Sequence, residues 1–204
     1  MGASTLRPYI VLAFGLLAVS TAAIFIRFSQ NAGATSLVVA AGRMLVASVV
    51  LLPITMQHYR DEFRRLSGFD LLLAVGSGVV LGLHYATWIS SLEYTSVVNS
   101  VVLVTTNPLW VALLAPFFLQ ETMHRRTFFG LGLAFAGGVL VALSGDTGDP
   151  PTRSDPMLGN TLAIIGAIAA ASYFMIGRRL RATLSVLPYI TLVYSISALT
   201  LLLV

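Results

Sequence analysis

The chain has 204 residues, 57% of them hydrophobic and only 10% charged, with a mean hydropathy of +0.89. A soluble domain carries about 25% charged residues, so this sequence cannot cover a water-facing surface and reads as a membrane protein. The net charge of +4 rests on arginine alone, in short clusters between apolar runs, so no nucleic-acid partner is expected; without cysteine there is no disulfide or thiolate metal site.

Cutting the sequence at its charges leaves seven apolar runs: 8–26, 33–56, 71–92, 94–120, 127–144, 157–177 and 182–204. A helix needs about 20 such residues to cross a bilayer. None of the runs alternates as a barrel strand would. The expected fold is an all-α polytopic membrane protein.

The first run follows Arg7 and carries small residues at positions 18–23, a pattern that also fits a signal peptide. The apolar stretch continues through Ile24, Phe25 and Ile26, and six more runs follow, which argues for a spanning helix. The second run holds Arg43, the one full charge well inside a span. Two readings stand side by side: an arginine satisfied by carbonyls or headgroups, and a partner for a solute carboxylate. Pairing with Glu93 would require the side chain to snorkel.

The third run contains "LGLHYATWISSLEY". Helical spacing puts Ser77, Leu81, His84, Trp88 and Ser91 on one face, with Tyr85 off it. A histidine inside a membrane is costly and normally faces protein or water. With Trp88 one turn away, the pair suits a partly apolar, partly polar solute. The alternative is a His84 bonded to a neighbouring helix and a Trp88 in the interfacial belt.

The fourth run, with "VTTNPLW", is broken chemically near its middle. Pro108 removes a backbone bond and clashes with the preceding turn. In lipid the freed groups need other partners, which Thr105, Thr106 and Asn107 can supply. Pro108 is read either as a packing kink or as a hinge, with Asn107 touching solute because an amide donates and accepts. In the sixth run, Ser172 and Tyr173 are polar positions in an Ala/Ile/Gly helix and are candidates for the same cavity. The glycines at 76, 78, 82, 130, 132, 137 and 138 have a packing explanation.

If the spans alternate, Arg7, Arg60, Arg64, Arg65, Arg125, Arg126, Arg178, Arg179 and Arg181 share one side, with Arg27, Arg153 and the acidic residues Asp146, Asp149 and Asp155 on the other. The positive-inside rule then makes the N-terminus cytoplasmic, in a cell (plasma or inner) membrane. Glu121 with Arg125 and Arg126 reads as an orientation and gate-edge cluster. "FGLLAVSTAAIFIRF" aligns with "IGAIAAASYFMIGRR", pairing Gly15 with Gly166, Ala18 with Ala169, Thr21 with Ser172 and Arg27 with Arg178. An odd number of intervening spans makes this an inverted repeat, a plan common in secondary transporters. The expected organisation is a first repeat at 1–145, an extracytoplasmic linker at 146–156 and the start of a second repeat at 157–204. A second repeat as long as the first would run to about residue 295, so the sequence is expected to be a fragment lacking about ninety residues.

The stretch "SLEYTSVVNSVVLVTTNPLWVALLAPFFLQETMHRRTFFGLGLAFAGGVLVALSG" resembles the second part of an EamA domain, the repeat unit of the drug/metabolite transporter superfamily. The matching features are Tyr94-Thr95-Ser96, Pro108, Glu121, Arg125 and Arg126, and the glycines from 130 to 138. "STAAIFIRF" and "AAGRMLVAS", with Arg43, resemble its first two spans. The resemblance implies two inverted five-helix units, about seven of ten helices being present here. It also implies alternating-access transport of small metabolites, often export of amino acids or related compounds. One departure is the first span, which has Val19 or Ser20 near the place where many relatives carry a tryptophan.

The expected function is therefore a secondary transporter, with His84, Trp88, Asn107, Tyr173 and Arg43 touching substrate and Pro108 as hinge. A non-transporting membrane scaffold and an intramembrane enzyme are the alternatives. No catalytic residue, metal or cofactor is expected. His84 and Ser77 lie about 10 Å apart along one helix, too far for a nucleophile and its base. No phosphate-cradling GxxxxGK[ST] loop exists for nucleotide-driven transport. Expected partners are a small-molecule substrate and the lipid bilayer. Oligomeric state and substrate identity are not legible.

Overall fold

The structure is a computed structural model that describes residues 3–118, 125–143 and 151–204. Glu121, Asp146 and Asp149 lie outside the described residues. Among those described, all regular structure is helical: α1 (Ala3–Asn31), α2 (Ser36–His58), α3 (Arg60–Arg64), α4 (Gly68–Tyr94), α5 (Val97–Val104), α6 (Asn107–Phe118), α7 (Arg125–Leu143), α8 (Pro156–Leu180) and α9 (Val186–Leu202). Five stretches are long and apolar enough to cross a membrane, namely Pro8–Asn31, Ser36–His58, Gly68–Tyr94, Val97–Phe118 and Pro156–Leu180. Arg126–Leu140 and Val186–Leu202 are shorter apolar helices. Large apolar side chains such as Phe14, Leu72 and Phe129 stay exposed, as an apolar solvent requires. The fold is all-α, polytopic and membrane-embedded.

Local chemistry explains where the helices end. Helix α1 runs past Ile26 and stops only at Gly33, whose φ of +93° allows the chain to turn. Gly33 N–H bonds the carbonyl of Gln30, and Ala34 N–H that of Ser29, which satisfies the last carbonyls of the helix. Arg27 is therefore helical and 1% exposed, where the sequence placed it in a loop; its Nη2 donates to the Thr95 carbonyl at 2.8 Å. Helix α4 starts at Gly68 because Ser67 and Asp70 form a reciprocal capping box. The Asp155 side chain accepts from Leu158 N–H and starts α8.

The core is α4, flanked by α8, α9 and α2. Small residues bring these backbones together. An added Cβ on Gly78 would lie 2.5 Å from Ile196, and one on Gly82 3.3 Å from Thr200, both on α9. Helix α8 buries Gly159, Ala163, Gly166, Ala167, Ala170 and Ala171. Gly76, Gly130, Gly132 and Gly137 meet nothing within 4 Å, so close approach explains only some of the glycines.

Two ties hold opposite ends of this core. Glu62 on α3 accepts from Ser185 N–H at 2.8 Å and from its hydroxyl at 2.7 Å, joining the α2–α4 connection to the start of α9. These bonds hold the Glu62 carboxyl below its ordinary range, with Arg65 adding to the effect. At the other end Arg153 N–H donates to the Glu93 carbonyl at 2.8 Å, and its guanidinium reaches the Glu93 carboxylate at 3.9 Å and the Tyr94 hydroxyl at 3.1 Å. Both partners help keep Arg153 protonated, the Tyr94 hydroxyl first.

Candidate functional site

The fourth run does not form one rod. Helix α5 ends at Val104 and α6 starts at Asn107, with Thr105 and Thr106 in a tight turn between them. The break falls just before Pro108, where the ring would collide with the preceding turn. The Thr105 hydroxyl donates to the carbonyls of Val101 and Val102 at 2.8 and 2.9 Å, and the Thr106 hydroxyl to that of Leu103 at 2.6 Å. The Val102 carbonyl thus finds a side-chain donor, while those of Val101 and Leu103 also keep the backbone N–H groups of Thr105 and Thr106. Trp110 Nε1 caps the arrangement by donating to the Thr106 hydroxyl at 3.2 Å.

This break opens onto a cavity of about 630 Å³. Its wall is built from the middle of α1, Arg43 of α2, the end of α4 and the α5–α6 break. His84, Trp88, Asn107 and Arg43, singled out one by one in the sequence, all line it. Tyr85 lines it too. The helical projection had set Tyr85 aside, yet it contacts His84 edge-on at 4.9 Å between ring centroids. Val19 and Ser20 also border the cavity, on the α1 wall where relatives were expected to carry a tryptophan. Aromatic surface comes instead from Trp88 and Tyr85 across the space.

His84 and Trp88 stack at 5.8 Å, with an angle of 17° between planes. His84 also reaches the Gly166 carbonyl through Nδ1 at 2.9 Å. A carbonyl only accepts, so Nδ1 carries the hydrogen, and Nε2 is left without a partner among the described residues. His84 therefore bonds a neighbouring helix and borders the cavity at once. Trp88 is 8% exposed and buried against α8, which removes it from an interfacial belt. Its Nε1 is buried with no hydrogen-bond partner.

Arg43 lies with its guanidinium carbon 5.3 Å from the Tyr85 ring centroid and 5.9 Å from that of Trp88. Its Nη1 is buried without a partner. Glu93 is engaged elsewhere: it accepts from the Ser36 backbone N–H and hydroxyl and faces Arg153. Asn107 opens α6, and its amide has no side-chain partner among the described residues.

Tyr173 departs from expectation. It stacks on Tyr189 at 6.0 Å and lines a separate cleft of about 220 Å³ with Arg178, Arg181 and Val186. Pro108 faces another groove of about 220 Å³, between the break and α7, and not the main cavity. Among the described residues no group of histidine and carboxylates could hold a metal ion.

The sequence pattern of the EamA-like transporter family matches residues 7–143. Uncharacterized transporter YetK of Bacillus subtilis (strain 168) is 28% identical over 153 residues, covering 74% of this chain and 46% of that protein. Uncharacterized transporter YyaM of the same organism is 32% identical over 108 residues, covering 50% of this chain and 35% of that protein. The matched stretches thus span less than half the length of either relative. No solved structure matches the chain.

Proposed function

Because the chain belongs to the EamA-like transporter family, we propose that it is part of a secondary transporter that exports small organic metabolites, such as amino acids or related compounds, by alternating access. The observation that carries this reading is the convergence of Arg43, His84, Trp88 and Asn107 on one cavity in the middle of the helix bundle. A cavity of about 630 Å³ falls in the size range of small-molecule sites, which are mostly apolar with a few polar groups that fix orientation. Arg43, His84, Trp88 and Asn107 are the solute contacts, and the turn before Pro108 is the hinge.

Residues 1–145 act as one repeat and 157–204 as the opening of a second, inverted one, joined by a linker at 146–156. The packing supports this: α4 runs antiparallel to α8, since His84 meets Gly166 while Thr95 meets Asn160. Helix α1 runs parallel to α4, since its middle faces His84 and Trp88 while Arg27 reaches Thr95. The aligned helices α1 and α8 therefore point in opposite directions. The N-terminus lies on the cytoplasmic side of the cell membrane, by the distribution of arginines.

The test is solute counterflow in proteoliposomes containing the protein as its gene encodes it. His84→Ala, Trp88→Ala and Asn107→Ala are expected to abolish exchange while the protein still inserts. Undiminished exchange in all three would refute the assignment of the cavity.

A further inference from the structure

Arg43 and Trp88 line the cavity, and each holds a buried N–H, Nη1 and Nε1, with no acceptor among the described residues. Among the described residues no acidic side chain lines the cavity. Among the described residues the ion pairs are Arg64 with Asp61 and Arg153 with Glu93, and none of these carboxylates pairs with Arg43. A charge held inside a membrane span without a counter-ion is costly, and such residues normally pair or face a solute path.

The surroundings of Arg43 soften that cost only in part. Its guanidinium rests near the faces of Tyr85 and Trp88, where the ring quadrupoles favour a cation. Those are the ring faces that a cationic solute would otherwise use. A second cation in this space would meet a like charge and no carboxylate. An anion would meet the cationic side chain of Arg43, which lines the cavity and pairs with no carboxylate among the described residues. The flat rings of His84 and Trp88 suit an apolar body beside the charge.

We propose that the cavity selects solutes of net negative charge, taking an organic carboxylate with a flat apolar body, with Arg43 as counter-ion. This rests on the reading of the cavity as the transport site and adds a charge preference to it. Monoanions bind best, zwitterions less well and cations least.

Three probes with the same phenyl-ethyl body separate these cases: 3-phenylpropionate, phenylalanine and phenethylamine. Calorimetric titration of the purified protein in nanodiscs is expected to give an affinity for 3-phenylpropionate at least about tenfold above that for phenylalanine, with phenethylamine silent. Arg43→Gln is expected to lose about tenfold or more of the anion affinity, and Arg43→Lys to keep a measurable part of it. An unchanged melting temperature in Arg43→Lys controls for folding should Arg43→Gln be unstable. Phenethylamine binding as tightly as 3-phenylpropionate, anion affinity unchanged in folded Arg43→Gln, or no binding of any probe would each overturn the proposal. Counterflow of 3-phenylpropionate is judged separately. Selective binding without exchange would sink the transporter reading and leave the charge preference standing.

Discussion

The imidazole of His84 on α4 donates through Nδ1 to the backbone carbonyl of Gly166 on α8, at 2.9 Å. One side chain thus ties the two most closely packed helices together and forms part of the cavity wall. His84→Ala removes both functions. It is expected to destabilise the protein by about 1–2 kcal/mol through the lost bond and the space left behind, besides ending exchange. His84→Gln restores an N–H donor, so its melting temperature in detergent is expected to lie between those of His84→Ala and the parent. Equal melting in all three would show that the bond contributes nothing.

Two glycines on α4 are expected to respond in opposite ways. Gly78→Ala pushes a Cβ to 2.5 Å from Ile196 and should cost about 1–3 kcal/mol by overpacking. Gly76→Ala meets nothing within 4 Å and should stabilise the helix by up to about 1 kcal/mol. Thermal unfolding of the pair in one detergent checks the contrast.

The Glu62–Ser185 tie carries a pH dependence of known sign. The folded carboxyl titrates below its unfolded value because Ser185 donates two bonds to the ionised form. Its stabilising effect is therefore full above the unfolded value and is lost as pH falls through the folded one. Amide exchange at the start of α9 is expected to speed up on acidification through the carboxylate range, beyond the intrinsic rate change. In Glu62→Ala that extra acceleration should vanish.

How much of this was written in the sequence depends on the range of each interaction. Arg43, His84, Trp88 and Asn107 stand out because polar and large aromatic groups interrupt apolar runs, and all four meet in the cavity. Tyr85 lies off the helix face of its neighbour, so spacing alone does not single it out. The cavity borders α4 over a wider arc than that face, so adjacent residues both reach it. Polarity alone makes Tyr173 a candidate for the cavity, but its partner Tyr189 sits on a helix that local pattern cannot place beside it. Arg27 looked like a loop charge, since its Thr95 carbonyl partner is 68 residues away. The helix break was legible because the collision caused by Pro108 is local.

Replacing Pro108 with Ala tests that break. The substitution removes the ring collision but leaves the bonds of Thr105 and Thr106 in place. Insertion should be normal, and exchange should fall by about tenfold if α5 and α6 join into a stiffer rod. Exchange at the parent rate would mean that the threonines alone keep the turn.

Where α4 meets α8 and α9, Gly78, Gly82 and Gly166 let side chains of the facing helix seat against bare main chain. Contacts this close leave little slack for these helices to slide past one another. The two-residue interruption between α5 and α6 is held differently, by the hydroxyls of Thr105 and Thr106 on local carbonyls. Bending of the bundle is expected at that joint, beside Asn107, where the helical ladder is already interrupted.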